Sequence, residues 1–141
     1  MIKGYTTGVF DLFHIGHLNI LKRAKEMCDY LIVGVSTDEL VENYKNKKPI
    51  ITYEERKAIV EAIRYVDEVV PQTSMNKVEA FENIGFNVMF HGDDWKGSPL
   101  YTETEKEFEK YEVKIVYFPY TQGTSSTQLT EMLRTEVEQS G

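Results

Sequence analysis

Cysteine is almost missing from this chain. Cys28 stands alone, so no intrachain disulfide can form and no cysteine-rich metal cage can be built. Long apolar runs are missing too, and none approaches the length of a membrane span. The first residues lack the basic segment, apolar stretch and small-residue cleavage site of a secretory signal. Positive charge is scarce: 16 Lys and Arg against 23 Asp and Glu leave a formal net charge of −7. That sign speaks against a general nucleic-acid or anionic-membrane binder. Repeats, low-complexity tracts and linkers are absent. These absences set the expectation of a cytoplasmic protein whose residues 1–141 form one domain, long enough to bury a core unaided. Any anion site must then be local, which makes clustered Lys, Arg and His informative.

What is present alternates between apolar runs and helical patterns. Residues 2–6 read as a first strand, and Tyr30 to Thr37 (YLIVGVST) as a strand buried on both faces. Residues 67–71, 87–91 and 113–118 supply three more short strands. Leu18, Leu21, Ala24 and Cys28 recur at helical spacing. Thr52 with Glu55 reads as a capping box opening a helix to about Tyr65. Residues 76–84 form a further helix stopped by Gly85, and Ser125 with Gln128 opens the last one. Strands separated by helices imply a five-stranded parallel sheet flanked by helices in a three-layer α/β fold. Ligands of such sheets bind beyond the carboxyl ends of the strands.

The segment GVFDLFHIGH, Gly8 to His17, sits at such an end and holds two of the three histidines, His14 and His17. Gly8 lets the backbone turn tightly, and Gly16 removes a side chain at a helix start, where free N–H groups and the dipole favour phosphate. An imidazole that donates to a phosphoryl oxygen stabilises charge developing in transfer. Two bland alternatives stand beside this one: a histidine pair that merely fills surface or core, and a zinc site, for which no cysteine or third histidine lies nearby. Phe10 and Phe13 read as core, and Asp11 as a residue able to cap a turn.

This string resembles the His-x-Gly-His box of a nucleotidyltransferase superfamily, in its cytidylyltransferase branch. YEERKAIVEAIRYVDEVV (Tyr53 to Val70), HGDDW (His91 to Trp95) and TQGTSST (Thr121 to Thr127) resemble further segments of that branch in order and spacing. Length and these four segments are most similar to the bacterial glycerol-3-phosphate cytidylyltransferases. The resemblance implies a Rossmann-like fold, a homodimer, and transfer of CMP from CTP to an alcohol phosphate, most simply glycerol 3-phosphate, giving CDP-glycerol and pyrophosphate. It implies His14, His17 and Lys45 as catalytic groups. It implies nucleotide contacts at Gly8, Val9, Phe10, Asp11, Gly16, Arg56, Asp94, Thr121, Ser125 and Ser126, and substrate contacts at Arg64 and Lys47. Lys45 and Lys47 share a polar loop and compete for one role, and Arg64 serves either phosphate or a subunit interface. Asp94 recognises the nucleotide, helps hold Mg²⁺ with Asp93, or belongs to a plain acidic turn; Trp95 stacks on a ring or closes the core. Ser125 and Ser126 cap a helix, bind phosphate, or do both. One departure is visible: Tyr120 and Gln122 replace the family's arginine and glutamate, which removes a bidentate anion contact.

The reaction expected from this set needs no general base. The attacking phosphate has a second pKa of about 6 and is ionised at neutral pH. Alignment and charge stabilisation suffice, with Mg²⁺ as the cofactor shielding the triphosphate through few protein ligands. Rival acceptors are phosphoethanolamine, phosphocholine and other polyol phosphates, and ATP is the rival nucleotide. A dinucleotide oxidoreductase is disfavoured by the lack of Gly-x-Gly-x-x-Gly. A non-catalytic nucleotide-binding module would bind CTP without releasing pyrophosphate.

Overall fold

The structure, a computed structural model, describes residues 1–93 and 96–119. The element order is β1 (Lys3–Gly8), α1 (Ile15–Glu26), β2 (Tyr30–Ser36), α2 (Asp38–Lys45), α3 (Tyr53–Glu61), β3 (Glu68–Gln72), α4 (Lys77–Ile84), β4 (Val88–Gly92), α5 (Pro99–Glu109) and β5 (Lys114–Phe118). All five strands pair in parallel in the order β3-β2-β1-β4-β5. The central strands are apolar on both faces because both faces are covered. Leu31, Val33 and Val35 of β2 point into a core with Leu21 and Ala24 of α1 and Val60 of α3. Ile32 points the other way and joins Tyr5, Met89, Tyr101 and Phe108, against α4 and α5. The alternation is that of a pleated strand, and the two clusters make the chain a three-layer α/β sandwich.

The sheet order places the ligand crevice. From β1 the chain winds outward through β2 and β3, then returns to lay β4 on the other flank of β1. The loops leaving the carboxyl ends of β1 and β4 therefore diverge, which opens a crevice at this switch point. The histidine turn after Gly8 and the carboxyl end of β4 at Gly92 border it.

Several local expectations change. The polar loop expected around Lys45 is in part a helix: Lys45 is the last residue of α2, and only Leu40 and Val41 of that helix are buried. Helix α5 was not expected, although Tyr101, Thr104 and Phe108 form its buried stripe and Ser98 caps it ahead of Pro99. Its density of exposed charge hides that stripe. Helix α3 stops at Glu61 rather than near Tyr65, and Thr52 makes no side-chain cap bond. The Asp38 carboxylate takes over, accepting from the Tyr53 amide at 3.2 Å. Cys28 falls beyond the end of α1, where its sulfur lies close to Gly4. The helix expected at Ser125 lies outside the described residues.

Candidate active site

The turn between β1 and α1 is strained in two places. Phe10 and Leu12 hold φ angles of 56° and 51°, in the left-handed region that non-glycine residues avoid. Such strain persists only where surrounding contacts over-determine it. Phe10 is buried and packs against both Phe13 and the His17 ring, at centroid distances of 6.2 and 5.3 Å. Gly8 serves this packing. Its backbone is not left-handed, but a Cβ there would lie 3.0 Å from two carbons of the Phe10 ring. The tight turn expected at Gly8 is thus made by Phe10 and Leu12.

His14 and His17 cap their own helix. His14 is the N-cap of α1, and its Nδ1 accepts the Gly16 amide at 3.0 Å. His17 reaches back, and its Nδ1 accepts the His14 amide at 3.2 Å. The rings lie 4.0 Å apart between centroids and 28° from parallel. A backbone N–H can only donate to an unprotonated ring nitrogen, so each ring carries its proton on Nε2. Burial lowers the His14 pKa below its ordinary value. Burial, and secondarily the neighbouring His14, pulls His17 down to about 3. Both rings are therefore neutral at pH 7 and act as N–H donors rather than cations. The helix-start amide expected to await a ligand at Gly16 is already satisfied by His14.

Asp11 and Arg56 turn out to be internal ties. The Asp11 carboxylate accepts the amides of Ile50 and Ile51 at 2.8 and 2.9 Å, binding the loop after α2 to the histidine turn. Arg56 was expected to meet the nucleotide, and the structure corrects this. It is 0% exposed, and its guanidinium donates to the carbonyls of Val9, Ser36 and Ile51 and to the Asp38 carboxylate. Val9 contributes that carbonyl, and Phe10 a buried ring.

Lys45 comes within electrostatic reach of Asp11 in the histidine turn. Partial desolvation and the Lys47 ammonium lower the Lys45 pKa, and Asp11 opposes them. Lys45 thus lies near Asp11 and beside Lys47, and both lysines are exposed. Arg64 does not join them. It lies between α3 and the start of β3, at the opposite edge of the sheet, and donates to the Tyr65 hydroxyl at 2.9 Å. Its expected contact with substrate in this chain's own crevice is corrected on that ground. Asp94, Trp95, Tyr120, Thr121, Gln122, Ser125 and Ser126 lie outside the described residues. No group of three His, Cys, Asp or Glu among the described residues is arranged to hold a metal.

Lys77 is the functional candidate that motif reading missed. It is 2% exposed, and its ammonium donates to the Thr7 hydroxyl at 2.9 Å, one residue before the end of β1. Burial lowers its pKa to about 7. A cavity of about 230 Å³ adjoins it, bordered also by Tyr5, Gln72, Ser74 and Asn76. A lysine at the first position of a helix opposes the dipole, and that was the one available signal. By contrast, the groove between α2 and α3 is bordered by Asp38, Glu39 and Glu54 and has no basic residue in its lining, so it does not suit a phosphate.

A family model described as cytidylyltransferase-like matches residues 5–137. The chain belongs to that family. It is 42% identical to the glycerol-3-phosphate cytidylyltransferase of Bacillus subtilis (strain 168) over 132 residues, 93% of this chain and 96% of that protein. It is 37% identical to the ethanolamine-phosphate cytidylyltransferase of Mus musculus over 92% of this chain but 32% of that longer protein. Among solved structures, a lipopolysaccharide core biosynthesis protein from Thermoplasma volcanium GSS1 superposes with a TM-score of 0.72 at 25% identity, covering 88% of this chain and 99% of that one. The fold shared with that structure is the parallel α/β sheet described above.

Proposed function

We propose that this protein transfers the cytidylyl group of CTP to an alcohol phosphate, with glycerol 3-phosphate as the acceptor, and releases pyrophosphate. The observation that carries this reading is the reciprocal capping of His14 and His17. It sets two neutral imidazoles side by side, each with its proton on Nε2, at the crevice between β1 and β4. Acyl transfer or hydrolysis would need a nucleophile and a base, and these rings spend their basic nitrogens on the backbone.

The chemistry follows from that arrangement. An acceptor phosphate oxygen, already ionised, attacks the α-phosphorus of CTP, and the bond to the bridging oxygen of pyrophosphate breaks in line. The Nε2–H groups donate to the oxygens on which negative charge grows, worth about 10²- to 10³-fold in rate for one such donor. Being neutral and held by the backbone, they need no reorganisation as that charge appears. Lys45 and Lys47 offset the charge of the triphosphate, and Lys77 meets the acceptor phosphate from the other side of β1. Mg²⁺ is proposed as the cofactor that shields the triphosphate. Such an ion is held mainly by phosphate oxygens and water, as is usual for Mg²⁺. A homodimer in the cytoplasm completes the proposal.

The test is pyrophosphate release with CTP or ATP against glycerol 3-phosphate, phosphoethanolamine and phosphocholine. Release with CTP and glycerol 3-phosphate alone supports the reading. A preference for phosphoethanolamine, which the likeness to the mouse enzyme keeps in view, changes the acceptor but not the reaction. Binding of CTP with no release under any pairing would refute catalysis.

A further inference from the structure

We infer that Arg56 is a positioning residue: from inside the fold it holds the loop bearing Lys47, and with it Lys45, against the histidine turn. This rests on the proposed role of those groups in nucleotide transfer. Four hydrogen bonds from one guanidinium reach four separate places at the carboxyl edge of the sheet. Nη1 donates at 2.7 Å to Val9, where the histidine turn begins, and at 2.7 Å to Ser36, the last residue of β2. Nε donates at 2.9 Å to Ile51 in the loop, and Nη2 at 2.7 Å to Asp38 in the first turn of α2. Lys45 and Lys47 lie between the Asp38 and Ile51 contacts in sequence.

Hydrophobic burial does not hold this loop. Lys45, Asn46, Lys47 and Lys48 are exposed, and Ile50 is 50% exposed. Its attachments are polar. The Ile51 residue is gripped twice, by Asp11 through its amide and by Arg56 through its carbonyl. Asp11 belongs to the histidine turn, and Arg56 ties the same turn through Val9. The two grips close a ring through the protein: histidine turn, loop, guanidinium and back. A planar fork with donors at fixed angles can span three carbonyls and a carboxylate, whereas an ammonium at the end of a flexible stem cannot. With 0% exposure Arg56 has no surface left for a ligand, so its action on the reaction passes through the groups it holds.

The test compares wild type, Arg56→Lys, Lys45→Ala and the double variant. Without substrate, amide hydrogen exchange at Ile50 and Ile51 should quicken about ten-fold or more in Arg56→Lys, while amides of β1 and β2 keep their rates. With CTP and acceptor, kcat/KM should fall about 10²-fold, as expected for a displaced catalytic group. Lys45→Ala should then cost about five-fold less in the Arg56→Lys background than in wild type, the signature of residues acting through one network. Unchanged exchange at Ile50 and Ile51, or losses that simply multiply, would overturn the inference. Should Arg56→Lys fail to fold, the same exchange measurement on Asp38→Asn, which weakens the guanidinium's carboxylate contact, decides by the same criteria. Absence of pyrophosphate release by the wild type would sink the proposed function and leave the exchange result standing. A fully active wild type with an undisturbed loop in the variants would sink only the role given to Arg56.

Discussion

The Nδ1 of His17 accepts the backbone amide of His14 at 3.2 Å, so one candidate catalytic ring is fixed by the peptide of the other. His14 in turn fixes the first turn of α1 through Gly16. The pair is at once a helix cap and a double donor, and the two duties can be separated by substitution.

Asparagine at position 14 should separate them. It is among the best N-cap residues, so His14→Asn should keep stability within about 0.5 kcal/mol of wild type, whereas His14→Ala should lose about 1 kcal/mol. Both should lose about 10²- to 10³-fold in turnover, because neither presents a ring N–H. Thermal melts and pyrophosphate release on the same preparations provide the check. Near-normal turnover in either variant would refute the role of His14.

Acid should expose the cost of keeping His17 neutral. Its folded pKa, about 3, lies below the ordinary 6.5. Between those values the unfolded chain binds the extra proton, so stability rises with pH through this window and is fully present above 6.5. As pH falls from 6.5 the protein should lose up to ~1.4 kcal/mol per unit from this group. Unfolding free energies of wild type and His17→Gln from urea titrations should agree within ~0.5 kcal/mol near pH 7 if the cap is the only other difference, and separate toward pH 4 as the wild type loses stability that the variant keeps.

Lys77 predicts a second limb of the same sign at higher pH. Its folded pKa of about 7 lies below the ordinary 10.5, so the unfolded chain holds more protons between those values and stability rises with pH there. Lys77→Met should remove this rise, steepest at ~1.4 kcal/mol per pH unit, and be more stable than wild type at pH 7. The same variant should raise the KM for acceptor about ten-fold or more while leaving that for CTP close to normal, as loss of one charge-assisted hydrogen bond implies. A higher KM for CTP alone would move Lys77 to the nucleotide.

Gly8→Ala should act through packing. The new methyl meets the Phe10 ring at 3.0 Å, and that ring is wedged against His17. Over-packing of this kind costs about 1–3 kcal/mol. Turnover should fall with stability here, unlike in His14→Asn, and a melt beside a rate measurement distinguishes the two.

Chelation should stop turnover without loosening the fold. EDTA is expected to abolish pyrophosphate release, and excess Mg²⁺ to restore it. The melting temperature of the nucleotide-free protein should stay put, since the described residues gather no metal cage. A melt shifted by EDTA would reveal a structural ion.

Much of the architecture was legible because buried parallel strands write themselves as apolar runs. Tyr30 to Thr37 became β2 within one residue, and Gly85 closed α4 in the left-handed conformation, at a φ of 75°. Helices α2 and α5 were not legible, because their buried stripes are short and set among charges. Arg56 looked like a phosphate ligand for a related reason. Sequence records a positive charge but not whether it faces water or the carbonyls of Val9, Ser36 and Ile51.

The sequence by itself determined the layered α/β sheet, the place of the histidine pair after the first strand, and the family. Those depend on local periodicity and on motifs contiguous along the chain. Only the tertiary structure decided which nitrogen of each imidazole carries the proton, that Arg56 is a tie and Arg64 lies at the far edge, and that Lys77 is buried beside Thr7. Each of these depends on what the fold packs against a side chain, and desolvation and hydrogen bonding come from residues far away in the chain.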